Sequence, residues 1–397
     1  MRIFFVCLRV PFPPDRGDKI ATFNVIRHLS KHHELHIFCL AGDTGDADNV
    51  RALGKFAKSV TAVPLSRLMG KLRVARALIT GEPLSVAMLG EKRLYAAVRE
   101  RTAVLRPDLF FVYSCNMAQF AEDFPDIPRI MQFSDLDSLK WKQYAQRLTI
   151  PMKWLYRVEG RRLLEYERRI ARSFSHSLVC TDIEKADFER LIPGAIVTRV
   201  GNGVDLDFFR SRGAAKQPGA MIFTGVMDYL PNVDGVKWFC EQILPGVREL
   251  VPAAHLVICG RRPSAAVRAL ARRPGVKVTG QVSDVRPFLD TAELAVVPLR
   301  MARGIQNKLL EAMAMGLPCV ASSLAWRGTS IPQGEGVLVA DEPGDFIAHI
   351  VRILQDAELR GQMSHRARRA VEADYGWDEQ LSRLDAVIAA VAPRAGQ

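Results

Sequence analysis

The chain has 397 residues, of which 48% are hydrophobic and 25% charged, and its formal net charge is +12. The length exceeds what one hydrophobic core normally supports, so we expect two globular domains. No apolar run reaches the roughly 18 residues that cross a membrane, and the first residues do not resemble a signal peptide. We therefore expect a cytoplasmic protein.

The cysteines and the positive charge narrow the classes of function. The seven cysteines are an odd number without a C-x-x-C pair, and most lie inside apolar runs. This pattern predicts buried, reduced thiols and excludes a disulfide framework or a zinc site. The net charge of +12 suggests an anionic partner, for which nucleic acid, anionic lipid and nucleotide phosphates all qualify.

The first half of the chain alternates short apolar runs with segments typical of helices. The predicted strands begin at Arg2, Glu34, Ser59, Asp108, Arg129 and His176. These runs are apolar throughout and do not alternate with polar residues, which is typical of parallel strands covered on both faces. Strand–helix alternation of this kind predicts an α/β domain.

The second half repeats the alternation after a polar, glycine-rich segment. Its predicted strands begin at Ala220, His255, Val276, Leu294 and Pro318. We place one domain at residues 1–204 and another at 205–376, and we expect the amphipathic segment 377–397 to pack back on the first domain. The predicted fold class is α/β, with two Rossmann-like, doubly wound parallel sheets facing each other. Ligands bind such sheets at the carboxyl ends of the strands.

The stretch GIQNKLLEAMAMGLPCVAS, residues 304–322, carries an acidic residue among apolar ones. Helical spacing places Asn307, Lys308 and Glu311 on one face, near a helix N-terminus that attracts anions. The Glu311 carboxylate can accept hydrogen bonds from a ribose diol, while Lys308 and the terminus bind the attached diphosphate. The same spacing fits an exposed Lys308–Glu311 ion pair equally well.

Residues 304–322 resemble the signature of retaining glycosyltransferases of family 4, which have the two-domain GT-B fold. Segments that begin at Val200, Met221, Val278 and Asp374 resemble the same family in the same order along the chain. The resemblance implies that Glu311 binds the ribose of a nucleotide-sugar donor and that backbone groups near Val282 hold the base. It implies transfer of a hexosyl group, with retention, to a glycan or lipid-linked acceptor.

Two stretches of the first half look like sugar transferases associated with exosortase systems and exopolysaccharide clusters. They are PFPPDRGDKIATFNVIRHL and FSDLDSLKWKQYA. In the first stretch, Gly17 lets the backbone approach the donor closely, and Asp18 and Lys19 beside it are also predicted to bind the donor. In the second, Asp135 and Asp137 stand where the family often has a His, and either can contact sugar hydroxyls. A capped helix start explains both groups of residues as well.

The second half departs from the family pattern where the phosphates would bind. Arg303 stands where a second Glu is usual, and the loop VMDYLPN lacks the usual bases. Lys308 and three arginines are therefore the candidates for binding the phosphates, although they also fit an ordinary solvated basic surface. The donor site predicted in this half consists of Glu311, Asn307, Lys308, Gly304, Arg300, Arg303, Arg261, Gly225 and Val282.

The predicted reaction breaks a C–O bond to a nucleotide diphosphate, so negative charge grows on the leaving group. Cations and helix N-termini can stabilise that charge without a metal, and we expect no metal and no cofactor beyond the donor substrate. No nucleophilic carboxylate is evident, which favours same-face attack with the departing phosphate oxygen taking the acceptor proton. The predicted catalytic residues are Asp137, Lys308 and Arg303.

Basic residues cluster with aromatic ones in residues 140–177, which hold ten Lys or Arg and three Glu. A second stretch, RLMGKLRVARALITG at 67–81, mixes bases with Leu and Met. Both stretches are typical of interfacial helices on an anionic membrane surface, and equally of a solvated basic face around a core helix.

Three other functions compete with glycosyl transfer. A nucleotide-sugar epimerase of the same architecture would bind the same donor without an acceptor. Arg303 in place of the usual Glu leaves a non-catalytic scaffold open. The charge also suits a nucleic-acid binder, but no recognised nucleic-acid motif is present, so we expect no such partner.

Overall fold

The computed structural model describes residues 1–15, 17–42, 46–146 and 148–392. The chain divides into two compact units, of which the first contains Met1–Gly201 and the residues from Leu381 onward, and the second contains Asn202–Gln380. The predicted boundary at 204/205 lies close to this division. Residues 393–397 of the predicted C-terminal segment lie outside the described residues.

The first unit is built on one parallel sheet. Its described strands are β1 (Arg2–Cys7), β2 (Glu34–Ala41), β3 (Ser59–Pro64), β4 (Leu109–Tyr113), β5 (Arg129–Ser134), β6 (His176–Val179) and β7 (Val197–Arg199). They lie in the order β3-β2-β1-β4-β5-β6-β7. Phe4, Phe38 and Phe110 occupy neighbouring strands and are fully buried, because helices cover both faces of the sheet.

The helices of the first unit follow its strands in turn. They are α1 (Gly17–Leu29), α2 (Asp46–Leu53), α3 (Arg67–Thr80), α4 (Leu84–Leu89), α5 (Lys92–Leu105), α6 (Asp137–Gln146), α7 (Met152–Ser173) and α8 (Asp182–Leu191), with a 3-10 helix at Cys115–Phe120. The last helix of the chain, α17 (Trp377–Val391), begins in the second unit and continues in the first. In the first unit its Asp385 contacts His28 of α1 at 2.8 Å.

Two glutamates of α7 occupy the N-termini of other helices. The Glu159 carboxylate accepts hydrogen bonds from the backbone N–H groups of Leu84 and Ser85 at 2.7 and 2.9 Å, where α4 begins. The Glu167 carboxylate accepts one from the N–H of Ser138 at 3.1 Å, where α6 begins. Both glutamates are buried, and burial raises the pKa of Glu167 to about 8. The first N–H groups of a helix have no partner inside it, so these carboxylates satisfy them.

The second unit has its own parallel sheet. Its described strands are β8 (Ala220–Thr224), β9 (His255–Cys259), β10 (Val276–Gly280), β11 (Leu294–Val297), β12 (Cys319–Ala321) and β13 (Val337–Val339). They lie in the order β10-β9-β8-β11-β12-β13, so β8 has β9 on one side and β11 on the other. The strand order reverses between β8 and β11, and ligands of doubly wound sheets bind at the carboxyl end of such a switch point.

Helices on both faces complete the second unit. They are α9 (Leu230–Trp238), α10 (Leu244–Leu250), α11 (Ala265–Leu270), α12 (Arg286–Thr291), α13 (Asn307–Ala314), α14 (Ser323–Trp326), α15 (Pro343–Gln355) and α16 (Ala357–Asp374), with a π-helix at Phe239–Ile243. In the described part of the chain, no helix combines the length and apolar character needed to cross a membrane.

Every predicted strand is present, and the predicted fold class of two Rossmann-like α/β sheets is confirmed. The sequence did not predict β7 and β13, which are short strands at sheet edges. All seven cysteines are buried and none forms a disulfide, as their apolar surroundings predicted.

Candidate functional site

Helix α13 begins directly beyond the carboxyl edge of the second sheet. The chain leaves β11, turns through Gly304 with φ +62°, and enters the helix at Asn307. Gln306, at the N-cap position, forms no side-chain capping bond, and the first N–H groups of a helix have no partner within it. A Cβ on Gly328 would lie 2.2 Å from the Gly304 carbonyl oxygen, so only a glycine at 328 leaves room for the loop at Gly304. The N-terminus of α13 is therefore available to an anion.

Three segments hold the Lys308 amine at the β8–β11 switch point. Its Nζ donates a hydrogen bond to Oδ1 of Asn232 and lies 4.5 Å from the centre of the Phe223 ring on β8. A Cβ on Gly225 would lie 3.3 Å from the same Nζ. Asn232 is 4% exposed, and its Nδ2 donates to the Val226 carbonyl at 2.9 Å, which fixes the amide. The amine is thus positioned by the end of β8 and by the first turn of α9.

The Glu311 carboxylate, one helical turn beyond Asn307, has no hydrogen bond or ion pair with any described residue. Burial raises its pKa to about 7, and the positive charge of Lys308 acts in the opposite direction. Burial likewise lowers the pKa of Lys308 to about 7, opposed by Glu311. Both side chains are partly buried, so the alternative of an exposed Lys308–Glu311 ion pair is not observed. The carboxylate is left with unused acceptor oxygens.

Glycines clear the backbone next to this group. Gly225, Gly260 and Gly280 stand at the carboxyl ends of three adjacent strands, β8, β9 and β10. The Gly225 N–H donates a hydrogen bond to the Cys259 carbonyl at 3.1 Å, and the Gly260 N–H donates one to the Gly280 carbonyl at 3.2 Å. A Cβ on Gly260 would lie 1.7 Å from the Gly225 carbonyl oxygen, so no side chain fits there. A ligand at this edge meets backbone, with room to approach closely.

The predicted arginines of the second unit have different surroundings. Arg300 donates two hydrogen bonds to Asp234, at 2.5 and 2.9 Å, and its guanidinium lies 5.6 Å from the Trp238 ring centre. These three residues line a cavity of about 490 Å³ beside α9 that includes neither Lys308 nor Glu311. The structure therefore directs the Arg300 guanidinium towards α9.

The remaining predicted residues of the second unit lie in loops at the carboxyl edge of the sheet. Arg261 follows β9, and its carbonyl accepts a hydrogen bond from the Met227 N–H at 2.9 Å. Val282 follows β10 and packs partly against the core. Arg303 precedes α13, and its carbonyl accepts a bond from the Gln306 amide at 3.0 Å. Sheet topology brings all three to the edge where α13 begins.

The predicted residues of the first unit lie at the carboxyl ends of β1 and β5. Gly17 opens α1, Asp18 pairs with Arg9 at 3.2 Å, and Lys19 lies 3.8 Å from Asp15. Asp137 opens α6 and forms an ion pair with Lys140 at 3.1 Å. The cap of α6 comes from α7 and not from Asp137, since Glu167 holds the first N–H.

Sequence reasoning missed Asn232. The sequence analysis considered only basic residues in the loop after β8. In the structure, the neutral amide of Asn232 contacts the Lys308 amine, which lies 76 residues further along the chain. No local pattern identifies this residue, because its role depends on the distant Lys308. Among the described residues, no group of three or more His, Cys, Asp or Glu is arranged to hold a metal ion.

Sequence comparisons find similarity between part of the chain and known proteins. Residues 218–356 match the family model for glycosyl transferases group 1. D-inositol 3-phosphate glycosyltransferase 1 of Catenulispora acidiphila is 27% identical over 236 residues, which cover 53% of this chain and 56% of that protein. A GDP-mannose-dependent monoacylated alpha-(1-6)-phosphatidylinositol monomannoside mannosyltransferase of Corynebacterium glutamicum is 26% identical, covering 37% of this chain and 42% of that protein. The chain spans about half the length of the curated relatives it matches.

Solved structures resemble the whole chain. Sucrose-phosphate synthase from Thermosynechococcus elongatus has a TM-score of 0.74 at 14% identity, covering 98% of this chain and 99% of that one. HepE from Anabaena in complex with UDP has a TM-score of 0.69 at 12% identity, covering 98% and 100%. WaaG, a glycosyltransferase involved in lipopolysaccharide biosynthesis, has a TM-score of 0.68 at 16% identity, covering 97% and 99%. The likeness confirms the GT-B fold.

Proposed function

We propose that this protein is a glycosyltransferase that moves a hexosyl group from a nucleotide-diphosphate donor to a glycan or lipid-linked acceptor. One observation carries the proposal. A partly buried Glu311 carboxylate without a partner stands next to the Lys308 amine and the uncapped N-terminus of α13, at the switch point of the second sheet. A ribose diol supplies the donors that the carboxylate lacks, and a diphosphate supplies the negative charge that the amine and the helix end attract.

The chemistry follows from where charge develops. As the bond between the sugar and the diphosphate breaks, negative charge grows on the leaving oxygen, and fixed positive groups lower the barrier because they need no reorganisation. Lys308 is fixed by Asn232 and Phe223, so its amine is ready before the donor arrives. The α13 N–H groups add a second source of stabilisation. These groups support diphosphate departure without a metal.

The finer points of the reaction rest on the family resemblance. We infer retention of configuration by same-face attack, in which the departing phosphate oxygen takes the acceptor proton. Asp137 opens α6 at the carboxyl end of β5, and it is our candidate for contacting the sugar. Family 4 membership, an exosortase association, a role in exopolysaccharide synthesis and a cytoplasmic location belong to the same proposal.

The test is a binding panel followed by two variants. The thermal midpoint should rise with one nucleoside diphosphate and its nucleotide sugars, because a ligand that binds the folded state stabilises it. Glu311→Ala and Lys308→Ala should each weaken the dissociation constant about 10- to 150-fold, which corresponds to losing about 1.5–3 kcal/mol of hydrogen bonding to a charged group. Lys237→Ala and Glu249→Ala, exposed residues of the same types, are the matched controls. Unchanged affinity in both site variants would refute the site.

Turnover separates the competing functions. A transferase releases nucleoside diphosphate in step with glycosylation of an added acceptor. An epimerase changes the sugar of the donor alone, which nuclear magnetic resonance detects without an acceptor. A scaffold binds the nucleotide and converts nothing. Sugar inversion in the donor without any transfer would therefore overturn the proposed reaction while leaving the donor site in place.

A further inference from the structure

Helix α3 carries an apolar stripe that faces solvent. Leu68, Leu72, Ala75 and Ile79 recur at i, i+4, i+7 and i+11, a spacing that places them on one side of a helix. Three of these residues are large apolar side chains, and they are 70%, 56% and 89% exposed in chain order. A surface helix normally turns such a stripe towards the core, so its outward direction requires an explanation.

The opposite side of α3 is what attaches it to the first unit. Gly70 and Ala77 are its buried residues, and a Cβ on Gly70 would lie 3.3 Å from the Met88 carbonyl of α4. Arg162 of α7 donates hydrogen bonds to the carbonyls of Ala77 and Leu78, at 2.9 and 3.3 Å. These contacts through small residues and backbone carbonyls fix the orientation of α3. The apolar stripe on its opposite side therefore faces away from the first unit.

The charges within α3 are all of one sign. Helix α3 has no acidic residue, and Lys71 and Arg76 flank the stripe with exposed side chains. Helix α7, which Arg162 joins to α3, adds Trp154 near its start, about two turns before Arg162, at 62% exposure. Arg157 and Arg161 follow it at i+3 and i+7, and both are exposed. Apolar side chains with a tryptophan, bordered by bases, match the interface of an anionic bilayer.

We propose that the outward face of α3 and the start of α7 rest on the surface of an anionic lipid bilayer. Charge complementarity and the apolar stripe select this partner, because a lipid headgroup region accepts both features at once. The structure narrows the surface predicted from residues 140–177. Leu163, Tyr166 and Ile170 of α7 are buried in the core, so only the beginning of that helix contributes. The proposal goes beyond the donor site and does not depend on it.

The experiment is sedimentation of the full chain with vesicles. Phosphatidylcholine vesicles that contain about one-third phosphatidylglycerol should bind the protein, and pure phosphatidylcholine should bind it at least tenfold more weakly. Lys71→Gln and Arg76→Gln should each weaken binding about fivefold, and high salt should act in the same direction. Leu72→Ser with Ile79→Ser should weaken it about tenfold. Val104→Ser on α5, where Val104 is 71% exposed, is the matched control and should change nothing.

Unchanged circular dichroism and thermal midpoints will show that the variants fold. Equal weak binding to both kinds of vesicle would overturn the proposal, as would binding that the α3 variants leave intact. A dimer in sedimentation equilibrium that Leu72→Ser and Ile79→Ser dissociate, without vesicle binding, would assign the face to a second copy instead. Binding to nucleic acid in place of vesicles would also overturn it.

Discussion

Without nucleotide, the partly buried Lys308–Glu311 pair should destabilise the protein most near neutral pH, relative to a variant that lacks the pair. Glu311 and Lys308 both have pKa values near 7 in the folded chain, against ordinary values of 4.5 and 10.5. The perturbation is the double variant Lys308→Met with Glu311→Gln, which keeps similar volumes and removes both titrations. All other groups titrate equally in the two proteins, so their contributions cancel in the difference.

The sign follows from counting protons. Between about pH 4.5 and 7, Glu311 binds more protons in the folded chain than in the unfolded one, so its contribution to the free energy of unfolding falls as pH rises. Between about pH 7 and 10.5, Lys308 binds fewer protons in the folded chain, so its contribution rises with pH. The wild-type stability minus that of the double variant therefore passes through a minimum near pH 7.

The depth of the minimum can be bounded from the pKa values. One pKa unit corresponds to about 1.4 kcal/mol, so the whole shift of the Glu311 pKa would lower the free energy of unfolding by about 3 kcal/mol. Both side chains retain some solvent and attract each other, which reduces the expected depth to about 1–2 kcal/mol. For a domain of this size, that is about 2–8 °C in the thermal midpoint.

The assay is differential scanning fluorimetry of both proteins, without nucleotide, in small pH steps from about 5 to 9. The difference in thermal midpoint should be most unfavourable to the wild-type protein near pH 7 and should recover on both sides. A flat difference would show that the pair lies in bulk-like solvent. A maximum near pH 7 would show that the pair is a stabilising ion pair, and either result would refute the reasoning.

Three further predictions test the surroundings of the site. Asn232→Leu should weaken nucleoside diphosphate binding about tenfold in calorimetry, because the Lys308 amine loses its acceptor. Asn232→Asp keeps an acceptor oxygen and should retain most of the affinity. Equal losses in the two variants would contradict a positioning role for Asn232. Gly260→Ala should lower the free energy of unfolding by about 3 kcal/mol or more through its clash with Gly225, whereas Gly361→Ala, which meets no atom within 4 Å, should be neutral or stabilising in the same urea titration. Burial raises the pKa of Glu167 from 4.5 to about 8, so Glu167→Gln should change stability little below about pH 4.5 and should become increasingly stabilising between about pH 4.5 and 8; the opposite trend in urea unfolding would contradict a buried acid of raised pKa.

The strands were predictable because their signal is local. Runs such as RIFFVC in β1 and AMIFT in β8 are apolar throughout, and burial on both faces requires this in a parallel sheet. The edge strands β7 and β13 are only three residues long, VTR and VLV, so neither stands out as a strand in the sequence. The local pattern therefore identified every strand except one short edge strand in each sheet.

The candidate site was predictable only in part. The spacing of Asn307, Lys308 and Glu311 within one helix placed them on one face, and α13 has the expected start. The sequence could not show that Asn232 holds the Lys308 amine, or that Arg300 pairs with Asp234, because these contacts join residues far apart in the chain. Their geometry depends on how α9 packs against the neighbouring strands.

The two glutamates of α7 that occupy the starts of α4 and α6 have a consequence for selectivity. A helix start is a general anion receptor, and it does not distinguish a phosphate from a carboxylate that belongs to the same chain. Because Glu159 and Glu167 of the same chain already accept hydrogen bonds from these N–H groups, neither helix start is open to an external anion. Helix α13 differs from these two helices, since no described side chain caps its N-terminus.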